Sequence, residues 1–150
     1  MKIIKQIILI CLLLGLLFGQ GSTRTKGYLA VGFLDHKTGT SLVGLAKTLW
    51  QKDHHEIFIG GGTLIAAFTA SLGWKYYFSN TPVRPYVVLA IHGISGMGGS
   101  FKAPFISVGL EKNIWKKLYI NGGFNSTIRP HSEAGLDFVN LPTINLNYRY

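Results

Sequence analysis

The chain has 150 residues, fifteen basic against six acidic side chains for a net charge of +9, and 47% hydrophobic residues. That apolar and aromatic content excludes intrinsic disorder, a single Cys excludes a disulfide framework, and the length suits one domain of about 100–200 residues. So few charges (14% of residues) in so apolar and Gly-rich a chain is unusual for a soluble protein.

The N-terminus carries Lys2 and Lys5, then an unbroken apolar run of 12 residues from Ile7 to Phe18. A helix crossing a bilayer needs about 20. Two lysines, a short apolar core and small residues after it form a secretory signal peptide over 1–21. Gly19 and Gly21 occupy the small positions, so cleavage is expected before Ser22. Ile10 before Cys11 is not the small residue that lipidation requires. Cys11 leaves with the signal. The remaining domain, 22–150, has 129 residues, thirteen basic and six acidic side chains, a net +7.

From Ser22 onward no run is long enough for a membrane helix, and the dominant period is two. Phe68, Ala70, Leu72, Trp74, Tyr76 and Phe78 alternate with Thr69, Ser71, Gly73, Lys75 and Tyr77. Ile106, Val108 and Leu110 alternate with Ser107, Gly109 and Glu111. Leu118, Ile120, Gly122 and Phe124 alternate with Tyr119, Asn121, Gly123 and Asn125. Ile144, Leu146, Tyr148 and Tyr150 alternate with Thr143, Asn145, Asn147 and Arg149. Turn signals separate the runs: 35–39, 52–54, 80–82, 93–100, 111–115 and 129–135. The predicted strands are 26–34, 40–51, 55–63, 66–79, 84–93, 103–112, 116–127 and 138–150, with the break near Leu64 and Ile65 the least marked. Eight strands over 129 residues leave about 16 per strand and turn, which suits tilted strands of about 10 residues. The expected fold is all-β, a closed antiparallel up-and-down transmembrane barrel. Turns two, four and six (Lys52-Asp53-His54, Asn80 to Val83, Lys112 to Trp115) are tight, whereas Gly93–Ser100 and Arg129–Asp137 read as longer external loops.

A soluble barrel puts its apolar face inward, and a membrane barrel puts it outward. The polar face here is Thr69, Ser71, Gly73, Asn121, Gly123, Asn125, Asn145 and Asn147, nearly uncharged, whereas a soluble exterior is about a quarter charged or more. Aromatics gather toward strand ends (Trp50, Trp74, Tyr76, Phe78, Tyr86, Trp115, Tyr119, Tyr148, Tyr150), as in an interfacial girdle. Lysines lie beside the tight turns: Lys47, Lys52, Lys75, Lys112, Lys116 and Lys117. Pro85, Pro104 and Pro142 fall near strand ends, where a missing donor is tolerated.

The last strand ends on an aromatic residue after apolar residues at every second position: Ile144, Leu146, Tyr148, Tyr150. With the signal peptide and the strand count, this resembles the small, eight-stranded outer-membrane β-barrel proteins of Gram-negative bacteria. The segment Ser71-Leu-Gly-Trp-Lys-Tyr-Tyr-Phe is similar to strand-to-turn pieces of such barrels. The resemblance, over Lys26 to Tyr150, implies outer-membrane localisation. It also implies that those four residues act as the insertion signal for the barrel assembly machinery.

Lys47, Lys75, Glu111 and Arg149 fall on the face assigned to the lumen and are expected to form a polar network there. An eight-stranded barrel is just wide enough for side chains to fill, which excludes a wide pore. His131-Ser132-Glu133 has the parts of a hydrolase triad, and His92 lies at the same end, so His131, Ser132 and His92 are the catalytic candidates. Lipid A deacylases and palmitoyltransferases are small barrels with Ser and His at the rim. The deacylase pattern, however, has one residue between His and Ser, and this chain has none. Three consecutive strand residues rarely converge, and the same argument weighs against a metal at His54-His55-Glu56. No cofactor motif is present: the glycines of 93–100 precede no helix. No nucleic-acid motif appears. Outer-membrane lipids and lipopolysaccharide phosphates suit Lys37, Lys102 and Arg129 as partners. The sequence therefore points to a non-enzymatic membrane barrel, structural or an interaction platform through its external loops. The rivals are a lipid- or lipid A-modifying enzyme and a soluble lipocalin-like carrier.

Overall fold

β-branched and aromatic residues at period two form eight strands in a computed structural model that describes residues 27–96, 99–130 and 136–150. They are β1 (Gly27–Phe33), β2 (Val43–Lys52), β3 (His55–Leu64), β4 (Ala67–Tyr77), β5 (Val83–Gly96), β6 (Gly99–Trp115), β7 (Leu118–Pro130) and β8 (Leu136–Arg149). Each pairs antiparallel with its sequence neighbours, and β8 pairs with β1 to close the barrel. Closure leaves no sheet edge. The seam runs from Tyr28↔Arg149 to Phe33↔Ile144. The expected signal peptide, with Cys11, lies outside the described residues.

Three expected turns are placed differently. β5 and β6 continue through the Gly93–Ser100 segment, pairing as far as Gly96↔Gly99, so this is a tall hairpin and not a long loop. β6 runs through Lys112 to Trp115, and the chain reverses at Lys116 and Lys117, with Lys116 at φ 43°. The last hairpin also extends beyond its expected limits, to Pro130↔Leu136. Gly and charged residues mark turns only statistically, and paired neighbours override them here. The faint break near Leu64 is a two-residue turn, with Ile65 at φ 50° and 92% exposed.

The wall is therefore uneven. β1 to β4 have 7 to 11 residues, and β5 to β8 have 13 to 17. The extra height lies at the end opposite the chain termini, called here the far end. The prolines follow this unevenness. Pro104 lies one residue beyond the last β6–β7 pair, Phe105↔Thr127. Pro85 lies one residue beyond the β4–β5 pair Tyr77↔Tyr86, and Pro142 two beyond the seam pair Phe33↔Ile144. Each sits where one flanking strand has stopped, so its missing N–H costs no ladder bond.

The alternation resolves into two faces. Val31, Phe33, Ile59, Phe68, Leu72, Ile91, Ile106, Val108, Leu110, Phe124, Ile144 and Leu146 point outward and are exposed. Thr69, Ser71, Lys75, Ser107, Glu111, Asn121, Asn125, Thr143, Asn145 and Asn147 point inward and are buried. An apolar layer made by Phe58, Tyr77, Tyr86, Val88 and Phe105 crosses this polar lumen. Tyr86 therefore belongs to the interior and not to the external girdle, and the Tyr119 ring likewise lies against Arg149, 4.1 Å away.

Candidate functional site

A closely packed polar site is built by a segment that is not a strand. The β1–β2 connection, Leu34 to Leu42, turns into the barrel instead of away from it. Leu34 at φ 57° and Gly39 at φ 81° redirect the chain. Asp35 fixes the turn: its Oδ2 accepts the N–H groups of Lys37 (3.0 Å) and Thr38 (2.9 Å) and the Thr38 hydroxyl (3.1 Å). Such Asx geometry lets a short loop satisfy its own backbone. Asp35, His36, Lys37 and Thr38 are all buried, none more than 2% exposed.

Glycines make room for this plug. A Cβ on Gly60 would lie 2.1 Å from the Lys37 carbonyl oxygen, one on Gly44 2.4 Å from Thr38 Cβ, and one on Gly62 2.6 Å from Ser41 Cβ. The β2–β3 wall thus carries a trough of missing side chains into which the plug backbone settles. From β4, Thr69 donates to the Thr38 carbonyl at 2.6 Å, and Ser71 donates to the Lys37 carbonyl. Farther along, His92 Nε2 accepts the Thr40 N–H at 3.2 Å.

Charges lock the plug to the wall. Lys37 Nζ meets Glu56 Oε1 at 2.5 Å, and Glu56 also accepts from Thr48 and, at 3.4 Å, from the Tyr77 hydroxyl. Tyr28 donates to Asp35 Oδ1 at 2.6 Å. Glu111 gathers three cations: Lys75 Nζ at 3.0 Å, an Arg149 guanidinium nitrogen at 2.5 Å and one of Arg84 at 2.9 Å. Lys75 joins the two groups through His36 Nε2, 2.9 Å away, and lies 4.0 Å from the centre of the Tyr86 ring. Three of the six acids in the chain are thus buried in one network with Lys37, Lys75, Arg84 and Arg149. His36 lies in the connection, outside the strands. Burial first, then the ammonium groups of Lys75 and Lys37, hold its pKa well below the ordinary imidazole value. The ring is therefore neutral. Accepting from Lys75 at Nε2 puts its proton on Nδ1, 3.5 Å from Asp35 Oδ1.

Of the four residues expected to share a lumen network, Lys75, Glu111 and Arg149 lie together and Lys47 does not. Lys47 sits between inward-facing Ala46 and Thr48, so it points outward, at the level of Gly27 near the chain ends. The bulge between Thr48 and Trp50 comes only after it and does not reverse its face. Lys37, expected at the surface as a lipopolysaccharide contact, is buried instead. Lys102 is exposed, and the Arg129 side chain is outside the description. His131 and Ser132 lie outside the described residues, and His92 faces the lumen. In His54-His55-Glu56, Glu56 points inward, whereas His55 stacks on Trp74 outside and accepts its indole N–H at 3.2 Å. Among the described residues no group of three His, Cys, Asp or Glu side chains is placed to hold a metal. Ile144, Leu146, Tyr148 and Tyr150 are all exposed on the outer face, with the two Tyr rings stacked 6.5 Å apart.

Sequence reasoning missed Asp35, His36, Glu56 and Arg84 as members of the network. The available signal was Gly44, Gly60 and Gly62, three small residues that share a face once the strands are in register.

No family model and no curated protein matches the chain. Among solved structures it is similar to the crystal structure of Neisserial surface protein A (NspA), at 9% identity over 84% of this chain and 94% of that one, with a TM-score of 0.49.

Proposed function

We propose that this chain is an integral outer-membrane protein whose barrel is closed to solutes, and that it serves as a structural or interaction element rather than as a channel or an enzyme. One observation carries the reading: the barrel is apolar outside and charged inside, with its lumen filled by its own first connection. Only a lipid surround makes an outward apolar face favourable while the sheet satisfies its own backbone. A soluble carrier needs the reverse arrangement. The packed plug favours a closed lumen over a conducting one. Aromatic Trp50, Trp74, Trp115 and Tyr148 on the outer face, with Lys47, Lys52, Lys112, Lys116 and Lys117, suit an interface near the chain termini. The termini are assigned to the periplasmic side, which leaves the tall β5–β8 rim outside the cell.

Fractionation tests the membrane half. The protein is expected in the outer-membrane fraction with heat-modifiable gel migration, and recovery as a soluble periplasmic protein overturns the reading. Planar-bilayer recording tests the closed lumen: no current steps are expected, and regular steps overturn it. An altered lipid A mass spectrum on expression overturns the non-enzymatic half.

A further inference from the structure

The inner face changes character toward the far end, and the change is confined to one side. Along β8 the inward residues run Arg149, Asn147, Asn145, Thr143, then Leu141 and Val139. Along β6 they run Glu111, Gly109, Ser107, then Phe105, Ala103 and Phe101. The plug rests on β2 to β4 and leaves this upper wall uncovered. A cavity of about 90 Å³ remains between the two. Ile94, Phe101, Ala103, Val139 and Leu141 form its walls, and Thr40, His92 and Thr127 supply its polar atoms.

By strand alternation these side chains lie on the inner face, outside the layer around Phe58, with Phe101 and Leu141 partly exposed at the rim. Among the described residues no charged side chain lines the cavity. His92 Nε2 is taken by the Thr40 N–H, so the neutral ring carries its proton on Nδ1, which has no partner among the described residues. The site thus offers apolar walls and one imidazole donor held in place by the plug. We infer that it binds a small uncharged molecule, an apolar body bearing one hydrogen-bond acceptor such as a carbonyl oxygen, which enters from the far end. The volume suits a single small ring or a short chain end. Because Thr40 belongs to the plug and holds His92, an occupant touches the plug directly. The inference goes beyond the proposed closed barrel and needs neither its cellular location nor its lack of conductance.

The test uses the full barrel in detergent micelles, with cyclohexanone, cyclohexane and cyclohexanecarboxylate as probes and methyl NMR as the readout. Cyclohexanone is expected to shift the methyl signals of Ile94, Val139 and Leu141 saturably while leaving those of the outward Ile106 and Val108 unmoved. Cyclohexanecarboxylate is expected to do nothing, since the described lining carries no cation and apolar walls disfavour a carboxylate. His92→Phe should weaken cyclohexanone about fivefold without weakening cyclohexane, the loss of one hydrogen bond. Ala103→Leu fills the cavity and should abolish binding, and Leu141→Trp does so from the half-exposed rim, where folding is least at risk. Heat-modifiable migration identifies folded variants. Unsaturable shifts spread over inner and outer methyls, equal binding of the carboxylate, or undiminished binding in a folded filled variant would each overturn the site.

Discussion

Glu111 shows what one side chain does when it is buried among cations. Lys75, Arg84 and Arg149 all converge on it, and a buried charge is tolerated only while it is paired. Glu111→Gln is expected to lower unfolding stability by about 3–5 kcal/mol, read from a urea titration in micelles. Glu111→Gln combined with Lys75→Met should regain part of that loss, since it removes one stranded cation. His36 gives a pH dependence of definite sign. Its native pKa lies below the unfolded one, so the unfolded chain takes up the proton first. Stability is full above pH about 6.5 and falls with acidification below it, by about 1.4 kcal/mol per pH unit for this one group. His36→Asn should flatten that slope between pH 5 and 6.5, measured as the urea midpoint against pH. An unchanged slope would show that His36 already carries its proton in the barrel.

The plug is an element without periodicity, which is why its position was hidden. Asp35-His36-Lys37-Thr38-Gly39 reads as a turn, and it is one. Nothing in those five residues tells a turn that faces water from one that faces the lumen, because the Asx bonds within it are local in either case. What decides is Gly44, Gly60 and Gly62, and their meaning depends on strand register, which composition does not supply. The strands themselves were legible from their alternation, because one residue of slippage would turn every side chain to the wrong face. Lys47 was misread because it is a charged residue interrupting the outward apolar series Val43, Leu45 and Leu49. Gly60→Val is the sharpest test of the element. Its side chain would occupy the space of the Lys37 carbonyl, with a φ any residue can adopt. It should lower the urea midpoint and raise amide exchange across residues 36–41. Gly122→Val, whose Cβ has only the Thr143 carbonyl oxygen 4.0 Å away, should do neither. Equal effects at the two sites would remove the plug from the account.

For the molecule as a whole, the two faces of one sheet carry opposite tasks, and the chain's 47% hydrophobic content divides accordingly. On the proposed membrane placement the outward set meets lipid, while the inward set pairs its charges inside the barrel. Tyr148→Asp places a charge on the outer face beside Tyr150 and should reduce the heat-modifiable fraction recovered from membranes several-fold. Asn147→Asp, one residue away but facing the lumen beside Arg149, should leave that fraction nearly unchanged, and equal losses would contradict the assignment of faces. β1 adds a consideration of time. The strand that carries the plug also makes one side of the closing seam, with only six paired positions against the fourteen of β5 and β6. A loop held on both sides by wall residues cannot easily be slipped into a finished ring. It must already be seated when the first and last strands meet, so the final stitch of the barrel is made around an occupied interior, and a chain that closes too early traps its own stopper outside.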